Sequence, residues 1–262
     1  MWVQELPKDF MKKKSFAVDT IFIWESDNHP IYIMDNHLAA AWCWMQECNP
    51  NEEYNFMHID QHSDLKGYGN PSIIDFIKRN PKISFEKYKQ IKYNKENKSY
   101  HFFQWDNYIR ACHYLFPNWF NANLFYTHTC NKCESNDWGY DVFPSRTRNP
   151  FYVRQELIQL FQDHYSCLSG VPLNTIKNER KWILNIDLDF FWDSNKIKVF
   201  SDDFIRDFAQ LVNNSMQYVQ VLTIAVSPDC IGGSNSEEIW KNANHLLQIF
   251  NDEIQNLNFV LF

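Results

Sequence analysis

Tyr54-Asn55-Phe56-Met57-His58-Ile59 runs directly into Asp60-Gln61-His62-Ser63-Asp64. The first stretch is an apolar run of strand length. The second is a polar cluster rich in side chains that ligate metals. Three other runs have the same form. Pro30 to Met34 ends in Asp35-Asn36-His37, Trp182 to Leu188 carries Asp187 and Asp189, and Tyr218 to Val226 ends in Ser227-Pro228-Asp229. Helical patterns separate some of them, over Leu38 to Glu47, Glu156 to His164, Asp203 to Asn213 and Glu237 to Phe250. Buried strands alternating with helices predict an α/β fold around a mainly parallel sheet. In such sheets, sites form at the carboxyl ends of the strands, and these four ends all carry acids or histidines.

Outward from these blocks, the chain shows no internal repeat and no long linker. One domain over 1–262 is expected, with insertions around 80–98 and 129–148. Asn80 to Lys98 is Lys-rich and reads as an exposed loop or a solvated helix. Tyr100 to Phe125 is dense in aromatics, and Thr129 to Arg148 reads as a polar surface excursion. Cys130 and Cys133 form a lone CxxC without zinc-finger partners and read as incidental.

Composition excludes several classes. Lys plus Arg minus Asp plus Glu gives 25 − 32 = −7, so no basic nucleic-acid face is expected. Glycine is scarce, 6 of 262, against an average of about 7%. Neither a P-loop nor a dinucleotide GxGxxG occurs. No apolar run approaches the ~18 residues of a membrane span. The N-terminus lacks the apolar segment of a secretory signal. Seven irregularly spaced cysteines predict reduced thiols rather than a disulfide framework. A cytoplasmic protein is the resulting expectation.

The Asp60-x-His62-x-Asp64 run offers ligands at two-residue steps. Fully extended, Asp60 and Asp64 would stand ~13 Å apart, so a shared metal requires the chain to turn after His62. Ser63, Gly67 and Gly69 fit such a turn. In Ile186-Asp187-Leu188-Asp189-Phe190-Phe191-Trp192 two carboxylates share a strand face inside apolar sequence, with no adjacent Lys or Arg. Buried charges there need a partner or a metal. Asp35-Asn36-His37 reads as a helix cap that contributes His37. The candidate ligands are therefore His37, Asp60, His62, Asp64, Asp187 and Asp189. This set is too rich in oxygen for a structural zinc. It suits a two-metal centre of Mn²⁺ type, with ions about 3.5–4 Å apart. His58 reads equally well as a support for these ligands or as a core histidine.

The order of His37, Asp60-x-His62-x-Asp64 and Asp187-x-Asp189, each after a strand, resembles the ureohydrolases of the arginase–deacetylase superfamily. Within it, Met34-Asp35-Asn36-His37, His58 to Asp64, Asn185 to Phe191 and Thr223 to Asp229 look most like the peptide arginases. The resemblance implies a three-layer arginase-like fold with helices on both sheet faces. It implies two Mn²⁺ ions per chain, one held by His37, Asp60, Asp64 and Asp187, the other by Asp60, His62, Asp187 and Asp189. Asp60 and Asp187 would touch both. The implied reaction converts peptidyl arginine to ornithine and urea, in maturation of a ribosomally made precursor peptide. Asp229 stands where the family has an acid that grips the guanidinium. His101 and His128 are candidates for the proton shuttle.

The chain also departs from the free-arginine enzymes. Ile33-Met34-Asp35-Asn36-His37 replaces their Gly-Gly-Asp-His, Asp60-Gln61-His62 their Asp-Ala-His, and Phe190-Phe191-Trp192 their Asp-Pro. Their segment for the free α-amino and α-carboxylate groups has no counterpart here, which favours arginine inside a peptide. A deacetylase-like amidohydrolase with one Zn²⁺, and a non-catalytic protein stabilised by a cation, are the rival readings.

Overall fold

The four apolar runs become four neighbouring parallel strands. The computed structural model describes residues 1–12, 18–27, 29–66, 74–121, 123–127, 141–144, 181–255, 257 and 259. Among the described residues the strands are β1 (Trp2–Gln4), β2 (Ile23–Glu25), β3 (Ile31–Met34), β4 (Asn55–Asp60), β5 (Lys92–Lys95), β6 (Lys98–His101), β7 (Asn123–Thr127), β8 (Asp141–Pro144), β9 (Trp182–Asp187) and β10 (Val219–Ala225). An eight-stranded sheet has the order β1-β2-β3-β10-β9-β4-β7-β8. From β3 to β8 every pairing is parallel, and β1 and β2 extend the β3 edge antiparallel. The carboxyl ends of β3, β10, β9 and β4 thus lie side by side.

Alternate residues of the central strands feed two apolar clusters. Ile31, Met57, Ile186 and Leu222 join one, together with Phe204, Phe208 and Leu247. Those last three come from α5 (Asp202–Ser215) and α6 (Ser236–Glu253). Tyr32, Phe56, Ile183 and Val221 join the other. It is completed by residues of α1 (Ala40–Glu47), α3 (Phe85–Gln90) and α4 (Tyr108–Leu115). Among the described residues the remaining α-helix, α2, spans Ile74–Arg79. Local sequence sets the helix starts. Ser201 accepts a hydrogen bond from Phe204 N at 3.2 Å, and Asn235 from Glu238 N at 3.0 Å, each satisfying an orphan amide of the first turn. Glu237 and Glu238 add favourable charge at the start of α6.

Three expectations change. The Lys-rich stretch is neither a loop nor one solvated helix. It holds α3, anchored by buried Phe85 and Tyr88, then the β5–β6 hairpin. Glu96 and Asn97 turn that hairpin at φ 51 and 63, the backbone of a two-residue hairpin loop. Part of the 129–148 excursion, Asp141–Pro144, is a sheet strand beside β7. The third change is at β9, which ends at Asp187, and Leu188–Phe191 is a 3-10 turn. The helical pattern Glu156 to His164 lies outside the described residues.

Candidate metal centre

At the end of β3, neighbouring polar residues divide the work. Asp35 is fully buried. Its Oδ1 accepts from Ile21 N at 2.7 Å, Phe22 N at 3.1 Å and the Thr20 hydroxyl. It ties the strand to the preceding segment. Asn36 accepts from Leu38 N at 2.9 Å and caps the 3-10 turn His37–Ala39. That cap turns the chain just where His37 becomes buried, at 3% exposure.

At the end of β4 the chain folds back sharply. His62 N donates to Asp60 Oδ1 at 2.5 Å. Gln61 N donates to Asp189 Oδ1 at 3.2 Å, and Gln61 Nε2 to the Trp192 carbonyl at 2.7 Å. Asp64 adopts φ 50, a left-handed conformation uncommon outside glycine. The bend brings Asp64 back to His37, and the extended separation never arises. Gly67 and Gly69 lie outside the described residues. At β9, Asp187 Oδ1 accepts from Asp189 N at 3.0 Å. Asp189 therefore sits on the turn, not beside Asp187 on the strand as the alternation predicts. At β10, Ser227 at φ 45 donates its hydroxyl to Asp187 Oδ2 at 2.5 Å.

All six candidate ligands meet. His37 Nδ1 lies 3.4 Å from Asp60 Oδ2, 3.0 Å from Asp64 Oδ2 and 3.3 Å from Asp187 Oδ2. His62 Nδ1 lies 3.4 Å from Asp60 Oδ1 and 3.2 Å from Asp189 Oδ2. The two oxygens of Asp60 thus face different histidines. His37, Asp60 and Asp187 form one group with ligand atoms within 4.8 Å, and Asp60, His62 and Asp189 form another. His58, Asp60 and Asp64 form a third such group. Asp60 Oδ2 and Asp189 Oδ2 are buried, with imidazole nitrogens 3.2–3.4 Å away but none in hydrogen-bond geometry. Native proteins rarely leave such atoms without a bond, and these groups of carboxylates and imidazoles could hold a cation. His62 keeps half its side chain exposed, while Asp60 and Asp189 are 1% exposed, so solvent reaches the centre on the His62 side.

Without a cation, the cluster holds protons instead. Burial works against a charged His37, but Asp187, Asp64 and Asp60 raise it to about 10. Burial likewise opposes a charged His62, and Asp189 and Asp60 raise it to about 12. Burial, then the Asp60 charge, brings Asp189 up to about 6. Burial, then the Asp189 charge, holds Asp187 well above the carboxylate range. Asp64 is raised by burial and by Asp60. Asp60 goes the other way: burial opposes its ionisation, but the rings of His58, His62 and His37 hold it well below the usual range.

Asp229 is half-buried in the 3-10 turn Pro228–Cys230 that follows β10. It has no ion-pair partner among the described residues. His101 ends β6, and its Nδ1 bonds the Lys89 carbonyl at 2.9 Å. No hydrogen bond or ion pair links His101 to the cluster among the described residues. His128, Cys130 and Cys133 lie outside the described residues. Of the aromatics, Phe102, Phe103 and Tyr108 are core, whereas Trp105 is 37% exposed.

Sequence reasoning missed three neighbours of the centre. Ser227 binds Asp187. Tyr108 stacks on His37 with ring centroids 5.2 Å apart. Cys230 lies beside Asp189, and burial together with Asp189, Asp187 and Asp60 pushes its thiol far up. A serine, a tyrosine and a cysteine outside any ligand spacing give no signal of this kind in the chain. No protein-family model, curated protein or solved structure matches this chain.

Proposed function

We propose that this chain is a dinuclear-manganese hydrolase of the arginase–deacetylase type, in a three-layer arginase-like fold, and that it converts peptidyl arginine to ornithine and urea. The observation that carries the reading is the division of Asp60, with Oδ2 at 3.4 Å from His37 Nδ1 and Oδ1 at 3.4 Å from His62 Nδ1. One carboxylate facing two histidine sets is the arrangement of a bridging ligand. His37, Asp60, Asp64 and Asp187 would hold one ion, and Asp60, His62, Asp187 and Asp189 the other. Two ions there would supply Lewis acidity and a water ionised near neutral pH.

The protein's own groups do the rest. Ser227 fixes one oxygen of Asp187 through its hydroxyl, and Gln61 and His62 amides fix Asp189 and Asp60. These three carboxylates are thus aimed before any cation arrives. The half-exposed His62 marks the side from which an arginine side chain enters. Asp229, at the edge of the same strand ends, accepts paired hydrogen bonds from the guanidinium and orients its carbon. The missing α-group segment favours an arginine flanked by amides, in a precursor peptide.

Urea release separates this reading from its rivals. Mn²⁺-loaded protein is incubated with an arginyl peptide and, separately, with an acetyl-lysyl peptide. Urea from the first and no acetate from the second is expected. Acetate alone would establish a deacetylase, and neither product would leave a cation-stabilised binding protein.

A further inference from the structure

A row of polar side chains crosses the buried sheet one two-residue step below the ligands. His58 on β4 is in register with Asn185 on β9, and Asn185 with Thr223 on β10. All three are 0% exposed, as is Trp44 of α1. Three polar residues side by side in the middle of a parallel sheet, where strands are otherwise apolar, require an explanation. Their hydrogen bonds form one connected chain. Trp44 Nε1 donates to Thr223 Oγ1 at 3.1 Å. Thr223 Oγ1 donates to Asn185 Oδ1 at 2.6 Å. Asn185 Nδ2 lies 2.8 Å from His58 Nδ1 and donates also to Tyr108 Oη at 2.9 Å. His58 Nε2 meets the His62 carbonyl at 3.2 Å, with Asp60 Oδ2 at 3.3 Å.

The chain has a direction. An indole N–H only donates, so the Thr223 hydroxyl accepts from Trp44, and its own proton goes to Asn185 Oδ1. The amide NH₂ of Asn185 then faces His58 Nδ1, which must accept. A backbone carbonyl cannot donate, so at the far end His58 Nε2 must carry the proton. The carbonyl end requires this tautomer, and the Thr223–Asn185 end is matched to it. His58 therefore cannot ligate a cation through Nε2, although it stands in a cluster with Asp60 and Asp64. Its role is to hold the His62 carbonyl, at the centre of the bend that carries His62 and Asp64.

We propose that the Trp44–Thr223–Asn185–His58 chain is a positioning relay, which locks one His58 tautomer and thereby sets the Asp60–Asp64 bend for both metal sites. The inference rests on the metal reading above, but its tautomer can be tested without any metal. Outer groups that orient ligands typically change metal affinity by 10–100-fold.

The test has two parts. Nitrogen NMR shifts of the His58 ring in the metal-free wild type report which nitrogen bears the proton. Mn²⁺ titration is then compared in wild type, Thr223→Val and Thr223→Ser, with circular dichroism confirming the fold. We expect a protonated Nε2 in the wild type, and loss of that fixed signature in Thr223→Val. Mn²⁺ binding should weaken about tenfold in the valine variant and recover in the serine variant, which restores the hydroxyl. A protonated Nδ1 in the wild type would overturn the relay. So would unchanged Mn²⁺ affinity in a folded Thr223→Val, or a Thr223→Ser no better than valine. If Thr223→Val fails to fold, the wild-type shifts and Trp44→Phe decide in the same way. A wild type that binds no Mn²⁺ would overturn the metal reading and the relay's proposed role, and the shifts would separately show whether the chain of hydrogen bonds exists.

Discussion

Asp60 presents its two oxygens to different histidines, so its loss should reach both ions. Asp60→Ala should bind well under one Mn²⁺ per chain, and Asp187→Ala should disturb both sites too. Asp64 faces His37 and His58 and stands in no group with His62 or Asp189 among the described residues, so Asp64→Ala should retain the other ion. Elemental analysis reads these outcomes, and a fully occupied pair in Asp60→Ala would contradict the bridging assignment. Asp229 makes a different prediction. Asp229→Asn should keep the metals while losing a charged bidentate contact of about 1.5–3 kcal/mol, or roughly ten- to a hundred-fold in rate. Unchanged turnover would remove Asp229 from the site. Protonation gives a third test. His37 and His62, raised to about 10 and about 12 by their carboxylates, both hold protons in the metal-free protein at neutral pH. Ligation requires neutral imidazoles, so Mn²⁺ binding should release protons and tighten as pH rises toward 10. Calorimetry in buffers of different ionisation enthalpy measures this release. Binding with no proton release at pH 7.5 would show that the imidazoles are already neutral.

Strand ends carry the site, and they were also the most legible part of the chain. Each combines a short apolar run with an abrupt polar cluster, so β3, β4, β9 and β10, and the six acids and histidines that gather at their ends, are read directly from the chain. What happens after each strand is not. The Asp60–Asp64 bend depends on a left-handed Asp64 and on the Gln61 bonds to Asp189 and the Trp192 carbonyl, which join segments far apart in sequence. The 3-10 turn that carries Asp189 follows from an Asp187 cap that resembles strand alternation until the chain is folded. The outer strand β7 and the edge strand β8 stay hidden in the sequence because they are short and mixed in polarity. Scarce glycines also become interpretable only in the fold. A Cβ at Gly232 would lie 2.1 Å from the Lys196 carbonyl oxygen and 2.7 Å from the Trp192 ring. Gly232→Ala should therefore destabilise the protein by about 1–3 kcal/mol, read from its denaturant midpoint. A midpoint equal to the wild type would mean that the two loops are free to separate.

The whole molecule folds around a concentration of buried negative charge. Two apolar clusters flank the sheet, while the acids at its carboxyl edge repel one another until protons or cations intervene. Among the described residues no helix is long and apolar enough to cross a membrane. Cation binding should consequently stabilise the fold as a whole. At a hundred times its Kd, Mn²⁺ should add about 2.7 kcal/mol per site, raising Tm by several degrees, and chelation should reverse the gain. Equal melting with and without Mn²⁺ would argue against a site in the native state.

The reaction itself can be read from the mass of its peptide product. An arginine-containing peptide is incubated with Mn²⁺-loaded protein, with Asp60→Ala as control, and its mass is followed. The account predicts loss of CH₂N₂ at arginine, leaving the primary amine of ornithine, with the wild type only, and a higher kcat/KM for the peptide than for free arginine. Remote peptide contacts can position the side chain, whereas free arginine must desolvate its charged α groups unpaired. An unchanged peptide mass after full metal loading would contradict the account, and faster turnover of free arginine would replace the peptide substrate with the amino acid.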